Sequence, residues 1–424
     1  MYRLNKYTHK IKNENNVILY NVITKALIEV DNNAFDIDNK IKQEFLSQLS
    51  DNDINFLLDK LIITNLDNDD VKEMQEIKNA YNNQNQTGHY MIHLSYNCNL
   101  KCPYCYQSTI GKSDKEIDKD RIINFIKKSA MLENFKNLEI CYIGGEPLLY
   151  IDEIEYITKK INETFKDRNK SYSIITNGTL MNIQNVQLLS DIGIYNYQIT
   201  IDGDKEHHDK TRINNNGGTF DIIMKNLTNI NKKLPEIEIY INCNISKYNY
   251  HKTSEMIKYI KDINLKYPIM FSMVFDNGTN ESYELKEQNQ IWKDVHIFAI
   301  KEGYEFEPFY RELYFGCALT QKNYHIISPN GELFKCINGI ENHKYYLSKM
   351  EDFDTKNYYT KLLEFSNYEI NNKNCIECEF YPVCYGGCKY QNDKNGFKCS
   401  KDSFIEAEYE IIKEIVNARS SGPI

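Results

Sequence analysis

Short apolar runs alternate with amphipathic stretches between residues 89 and 275. Runs of five to seven residues are typical of strands, and an apolar spacing near 3.6 residues, as in 118–132, 152–164 and 220–231, is typical of helices. Strands that alternate with helices predict parallel βαβ units, and six repeats predict an α/β fold with a partial (β/α)6, TIM-like barrel. The strand-like runs are Met91–Ser95, Leu138–Ile143, Tyr172–Thr176, Tyr197–Ile201, Ile237–Cys243 and Ile269–Phe275.

The pattern changes on both sides of this region. Before it, β-prone runs at 17–20 and 26–30 precede three helical patterns, and the polar segment 82–88 indicates a domain boundary. After it, a helix is expected at 283–302, a hairpin around the turn 329–331 and a closing helix at 402–419. We therefore expect four parts: a small, winged-helix-like N-terminal domain (1–85), a barrel (89–302), a cysteine-rich domain (303–401), and a final helix with its tail (402–424).

Charge and composition exclude several classes of function. The 424 residues carry a formal net charge of −9, which disfavours nucleic acid and anionic membranes as partners. The N-terminus lacks the apolar run of a secretory signal, and no run reaches the length of a membrane span, so a cytoplasmic protein is expected. In that compartment the twelve cysteines are expected to be metal ligands rather than disulfides.

Candidate chemistry follows the predicted strands. In a (β/α) barrel the active site lies at the C-terminal ends of the strands. Cys98, Cys102 and Cys105 follow the first strand, residues 144–147 (GGEP) the second and 176–178 (TNG) the third, whereas 200–203 (TIDG) closes the fourth. A cubane iron–sulfur cluster normally has four thiolate ligands, so three leave one iron open for chemistry. A zinc site with a fourth ligand elsewhere also fits the cysteine spacing.

The Cx3Cx2C spacing with an aromatic residue before its last cysteine, followed by GGEP after the next strand, resembles the radical SAM superfamily over residues 89–275. The resemblance implies a [4Fe–4S] cluster on Cys98, Cys102 and Cys105, with S-adenosylmethionine (SAM) on the open iron. One electron would split SAM into methionine and a 5′-deoxyadenosyl radical that removes a hydrogen atom from the substrate. An external donor such as flavodoxin or ferredoxin would supply the electron.

Further positions match places where the family contacts SAM. Thr200 also fits an ordinary strand threonine, and Arg212 fits a surface arginine of the loop 204–212, in which His207 and His208 are expected to be solvated. An arginine here would suit the SAM carboxylate. The expected cofactor-binding residues are Tyr104, Gly144, Gly145, Glu146, Asn177, Thr200 and Arg212.

Seven cysteines near the C-terminus closely resemble the SPASM extension of radical SAM enzymes, although two zinc-ribbon sites remain an alternative. By resemblance, one auxiliary [4Fe–4S] cluster would bind Cys317, Cys336 and Cys388, and a second would bind Cys375, Cys378, Cys384 and Cys399. With the SAM cluster this makes three clusters. Because residues 318–330 contain no cysteine, the first auxiliary cluster is expected to have either an open iron that a substrate thiolate can reach or a non-cysteine ligand.

The order of strands and helices in residues 1–85 resembles PqqD-like domains, which bind the leader of a precursor peptide as an added strand. A generic winged-helix-like packing domain is the alternative. The resemblance implies a maturase of a ribosomally made peptide that forms a crosslink, foremost a thioether, with auxiliary clusters as electron acceptors. An anaerobic sulfatase maturase is less favoured, since those relatives carry an Asp where this chain has Ile337. A non-catalytic electron-transfer protein is the third hypothesis.

Overall fold

The computed structural model describes residues 1–13, 16–32, 34, 41–84, 86–107, 110, 117–215, 217–274, 282–306, 317–341, 343–366, 373–399 and 401–421. These residues form two compact units. Unit 1 draws on the segments 1–85, 305–317 and 369–424, and unit 2 on 86–304 and 318–368. None of the helices in the described ranges is long and apolar enough to cross a membrane.

Unit 2 is built on a nine-stranded, mostly parallel sheet. Its strands are β6 (Thr87–His93), β7 (Asn137–Ile143), β8 (Asn169–Thr176), β9 (Asn196–Thr200), β10 (Glu238–Ile245), β11 (Ile269–Met273), β12 (Tyr324–Ile327), β13 (Glu332–Phe334) and β14 (Tyr346–Lys349). Its helices are α4 (Lys119–Leu132), α5 (Ile151–Thr164), α6 (Ile183–Ser190), α7 (Lys205–Thr211), α8 (Phe220–Lys233), α9 (Thr253–Asp262), α10 (Leu285–Lys301) and α11 (Lys356–Ser366).

Six parallel strands, β6 to β11, stand in sequence order, which confirms the predicted α/β class and partial barrel. The spatial order is β11-β10-β9-β8-β7-β6-β12-β13-β14. The predicted hairpin therefore extends this sheet, because β12 pairs in parallel with β6 and β13 turns back against β12. The strand β12 is too short for its pattern to reveal a partner that lies more than 200 residues away in the chain.

The two faces of the parallel strands differ in chemistry. One face packs against the helices, where Tyr90 Oη lies 2.7 Å from Ser129 Oγ of α4 and Tyr142 Oη lies 2.8 Å from Thr158 Oγ1 of α5. Residues of the opposite face stay partly exposed and include small and polar side chains: Cys141, Ser173, Gln198, Asn244 and Ser272. This alternation leaves a partly polar concave face beside the strand ends.

Unit 1 contains the strands β1 (Tyr2–Leu4), β2 (Thr8–Asn13), β3 (Asn16–Asn21), β4 (Leu27–Asp31) and β5 (Ile63–Asn65). Strands β2, β3 and β4 form an antiparallel sheet in that order, and β1 pairs with β5. The helices are α1 (Gln43–Leu46), α2 (Asp51–Asp59), α3 (Asp70–Gln84), α12 (Lys373–Ile376), α13 (Tyr381–Cys384), α14 (Lys389–Asn395) and α15 (Lys401–Ser421).

The strand β3 is buried on both faces, and this changes the expected domain organisation. Val17 and Leu19 pack toward the N-terminal helices, whereas Ile18 and Tyr20 pack against apolar residues of the C-terminal segment. The C-terminal residues in that second cluster include Phe380, Tyr381, Val383, Tyr385, Ile412 and Val416. Residues 1–85 were expected to stand alone; they instead share a core with the C-terminal segment because their sheet has a second apolar face to cover.

Candidate functional site

The cysteine motif lies in the loop that leaves β6 at the C-terminal edge of the parallel sheet. Cys98, Cys102 and Cys105 are partly buried. The amide of Leu100 donates a hydrogen bond to Cys98 Sγ at 3.3 Å. Burial raises the pKa of the Cys98 thiol, and this hydrogen bond opposes the rise and so favours the thiolate form that iron requires. The loop thus supplies three sulfur ligands beside the strand ends.

The glycine segment after β7 packs against the backbone of the cysteine loop. The amide of Gly145 donates to Ser95 O and that of Glu146 to Asn97 O, both at 2.9 Å. A Cβ atom on Gly144 would lie 2.4 Å from Ser95 O, and one on Gly145 would lie 2.1 Å from Asn97 O. Both glycines therefore approach the backbone of the cysteine loop closely, so any side chain there would displace that loop.

Glu146 joins two of the predicted motifs through its buried carboxylate. One oxygen accepts from the amide of Leu148 at 3.0 Å and from Thr176 Oγ1 at 2.7 Å. The other oxygen accepts from the amide of Asn177 at 2.8 Å. Burial raises the pKa of this carboxyl group, and these hydrogen bonds oppose the rise. Glu146 also caps the short 3-10 helix Pro147–Tyr150, as its place before a proline predicts.

The side chain of Asn177 holds the cysteine loop from the end of β8. Its Nδ2 donates to Asn99 Oδ1 at 2.8 Å and lies 3.9 Å from Cys98 Sγ. Its Oδ1 accepts from the hydroxyl of Thr179 at 2.6 Å. Three strand ends therefore meet at the loop, because 144–146 contact it from β7 and 177–179 from β8.

The end of β9 adds a buried charged cluster in which Asp202 of the TIDG motif, not among the expected binding residues, joins Tyr104 and Arg212. Arg212 is 8% exposed and Asp202 is fully buried, so Arg212 is not the surface arginine that its charged loop allowed. Tyr104 donates to Asp202 Oδ2, and Arg212 Nη1 lies 2.8 Å from Tyr104 Oη and 3.5 Å from Asp202 Oδ2. Thr200, at the end of the same strand, is also buried. Tyr104 and Arg212 thus meet at Asp202, two residues after Thr200 in the chain.

The segment expected to be a loop forms α7, and one of its two histidines differs from the expectation. His208 was predicted to be solvated but is fully buried. Its Nδ1 accepts from the amide of Asp202 at 3.2 Å, and its Nε2 lies 3.1 Å from Thr219 Oγ1. Burial lowers the pKa of His208 well below its usual value, so the ring is neutral. A carboxylate directly after a barrel strand was the sequence signal that could have identified Asp202.

The thiols and Arg212 at this site are suited to hold an iron–sulfur cluster together with a ligand that carries a carboxylate. Burial raises the pKa of the Cys102 thiol to about 11, and the positive charge of Arg212 opposes this shift. Within the described chain, Nε of Arg212 is buried and has no hydrogen-bond partner. A buried donor of this kind is costly unless a ligand satisfies it, and a carboxylate suits a guanidinium. The thiols and this open donor are what a [4Fe–4S] cluster and SAM require.

The C-terminal cysteines are distributed over both units. In unit 1, burial raises the pKa of Cys375, and the charges of Cys384, Cys399 and Cys378 raise it further. These four are the expected ligands of the second auxiliary cluster. The ligand set of the first one stays a prediction: Cys317 and Cys388 belong to unit 1, and Cys336 follows β13 in unit 2.

A site for a single metal ion is not found in the part of the chain that the structure describes. No three His, Cys, Asp or Glu side chains there are close enough to share one ion. A cubane places four irons between its thiolates, so its ligands are farther apart than those of one ion.

Comparison with known proteins finds similarity to the superfamily that the sequence motifs resemble. Residues 92–260 match the family model of the radical SAM superfamily. The chain is 26% identical to the radical SAM cyclopropyl synthase TigE of Paramaledivibacter caminithermalis, over 91% of this chain and 89% of TigE. It is also 26% identical to a cysteine-type anaerobic sulfatase-maturating enzyme of Clostridium novyi, over 71% of this chain and 87% of that enzyme.

Two solved structures share the fold. The structure of anSMEcpe with bound AdoMet superposes with a TM-score of 0.63 at 20% identity, covering 79% of this chain and 100% of that chain. Streptococcus suis SuiB bound to S-adenosylmethionine superposes with a TM-score of 0.56 at 16% identity, covering 94% of this chain and 99% of SuiB.

Proposed function

Because residues 92–260 belong to the radical SAM superfamily, we propose that this protein is a maturase that modifies a ribosomally made peptide through hydrogen abstraction. The observation that carries the proposal is the cysteine loop, which three strand ends hold beside the buried, partly unpaired guanidinium of Arg212. When bound, the cluster and SAM supply reductive cleavage of SAM to methionine and a hydrogen-abstracting 5′-deoxyadenosyl radical.

The chain's own residues would bind and shield these groups. Cys98, Cys102 and Cys105 would hold the cluster, and Arg212 would donate to the SAM carboxylate through Nε. Thr200 and Asn177 lie at neighbouring strand ends and would border the ligand. The partly polar concave face next to them suits a peptide, whose backbone needs hydrogen-bond partners.

Similarity supports a peptide as the substrate. SuiB has been solved bound to its precursor peptide SuiA, and anSMEcpe with AdoMet and a Kp18Cys peptide. The match to SuiB covers 94% of this chain at a TM-score of 0.56, so it extends well beyond the barrel. We further propose that unit 1 binds the leader segment, with β4 as the acceptor because it is an end strand of its three-stranded sheet.

We propose a thioether as the bond formed. A cysteine S–H and a carbon C–H of the peptide would be lost and one C–S bond would form. One hydrogen would leave in 5′-deoxyadenosine, and the other would leave as a proton and an electron taken up by an oxidised acceptor, for which the auxiliary clusters are candidates. Ile337 disfavours formylglycine synthesis, since it packs partly buried beside Tyr96 and Phe334 rather than offering a proton acceptor.

The test uses the full chain with reconstituted clusters, a reductant, SAM and a cysteine-containing precursor peptide encoded next to its gene. A thioether lowers the peptide mass by two hydrogen atoms and protects the cysteine from alkylation, as tandem mass spectrometry would show. The Cys102→Ala variant and a peptide with serine in place of cysteine are the controls. A product that has lost its sulfur would support the sulfatase-maturase alternative, and an unmodified peptide despite SAM cleavage would refute the maturase proposal for that peptide.

A further inference from the structure

Asp202 is a buried residue at the site to which the proposed function gives no role. It follows β9 directly and has no exposed surface. A buried carboxylate is unfavourable unless it is paired or hydrogen-bonded. Its contacts therefore indicate what it does for the site.

The carboxylate of Asp202 connects three separate segments. Its Oδ1 accepts from the amide of Asn244 on β10 at 2.9 Å. Its Oδ2 accepts from Tyr104, which lies beside Cys105 in the cysteine loop, and pairs with Nη1 of Arg212 at 3.5 Å. Tyr104 and Arg212 are also joined directly at 2.8 Å. The cysteine loop, the loop after α7 and a barrel strand thus share one anchor.

In this arrangement, one side of the Arg212 guanidinium is bonded within the protein and another donor stays available to a ligand. Its Nη1 is held by Tyr104 and Asp202, while its buried Nε has no partner in the described part of the chain. A guanidinium that is held on one side keeps its remaining donors oriented, so less conformational freedom is lost when a ligand binds. The negative charge of Asp202 also offsets the buried positive charge of Arg212.

We infer that Asp202 is a positioning residue for SAM, because it fixes Arg212 relative to the loop that carries the cluster cysteines. The inference rests on SAM binding by the radical SAM domain and adds a residue to it. In this role Asp202 acts through Arg212 and Tyr104, with which it pairs.

The variant Asp202→Asn tests this role because it keeps the size of the side chain and removes the charge. In the reconstituted full chain without peptide, we expect SAM to bind about tenfold more weakly, since one charge-assisted contact is lost. The change that SAM produces in the electron paramagnetic resonance spectrum of the reduced cluster should be reduced or altered. Iron content should match that of the unchanged protein. Tyr104→Phe should weaken SAM binding less, and the double variant should show a non-additive effect.

Asp209→Asn, in the helix α7 that leads to Arg212, provides the matched control. The Asp209 carboxylate accepts from the amides of Thr219 at 2.7 Å and Phe220 at 2.8 Å, so it supports the start of α8. This variant should lower the melting temperature and leave SAM affinity unchanged. Wild-type SAM affinity and spectrum in Asp202→Asn would overturn the inference, as would a loss of iron and melting temperature that accounts for the whole effect. Because no peptide is used, the proposed maturase function can fail independently of this result.

Discussion

Replacing Glu146 with glutamine should separate the structural role of the GGEP motif from direct ligand binding. The carboxylate accepts three hydrogen bonds inside the protein, two on one oxygen and one on the other. In Glu146→Gln, the amide oxygen can retain the pair from Leu148 and Thr176. The new NH2 group then faces the N–H of Asn177, which leaves two buried donors against each other.

The expected cost follows from those contacts. A hydrogen bond to a charged group contributes about 1.5–3 kcal/mol, and a buried unpaired donor costs about 1–3 kcal/mol. We therefore expect Glu146→Gln to lower the unfolding free energy of unit 2 by about 2–4 kcal/mol. Thr176→Ser is the matched control, because it keeps the hydroxyl that donates to Glu146 and accepts from the amide of Gly178. It loses one buried methyl group and should cost only about 1 kcal/mol.

Urea unfolding followed by tryptophan fluorescence measures this directly, because Trp292 is the only tryptophan of the chain and lies in α10 of unit 2. SAM affinity should fall as well, since Asn177 joins Glu146 to the loop of Cys98. If Glu146→Gln unfolded like the unchanged protein but lost SAM binding, the carboxylate would be a ligand contact and this reasoning would be wrong.

Three further predictions address the cluster, the effect of pH and the shared core of unit 1. Cys102→Ala should lose the iron of one cluster and all SAM cleavage, as iron analysis and chromatography of 5′-deoxyadenosine would show, whereas Cys141→Ser should retain both. Burial lowers the pKa of His296 from 6.5 to about 4. Below pH 6.5, His296 binds a proton in the unfolded chain but not in the folded chain. The unfolding free energy should therefore fall by about 1.4 kcal/mol per pH unit toward pH 4, or about 2 kcal/mol at pH 5. The variant His296→Gln should flatten this slope in thermal melts followed by Trp292 fluorescence. Phe380→Ala should lower the unfolding free energy of unit 1 by about 3–5 kcal/mol, because Phe380 is 2% exposed in the core that residues 7–22 share with the C-terminal segment. Amide hydrogen exchange in residues 7–22 should become faster, and an unchanged exchange rate would contradict the shared core.

The barrel could be predicted because its strands are strongly apolar, pair with their neighbours in chain order and are separated by regular helices. The edge of the sheet that carries the candidate site could be predicted because motifs such as 144–147 follow strands directly in the chain. The packing of β3 on two faces could not, because its second partner lies more than 350 residues away. The burial of His208 and Asp202 was not predicted for a related reason. Charged and polar residues that follow a strand are expected to be solvated, and the tertiary contacts that bury and pair them cannot be seen in the sequence.

The central claim is that a radical generated at this site takes its hydrogen from a peptide. The most direct measurement supplies the reduced, reconstituted protein with SAM and a precursor peptide whose carbon-bound hydrogens are deuterium. Deuterium in the 5′-deoxyadenosine, together with a modified peptide, is the predicted result. Unlabelled 5′-deoxyadenosine beside an unchanged peptide would contradict the account for that peptide, and the absence of any 5′-deoxyadenosine would contradict the assignment of Cys98, Cys102 and Cys105 to the radical-forming cluster.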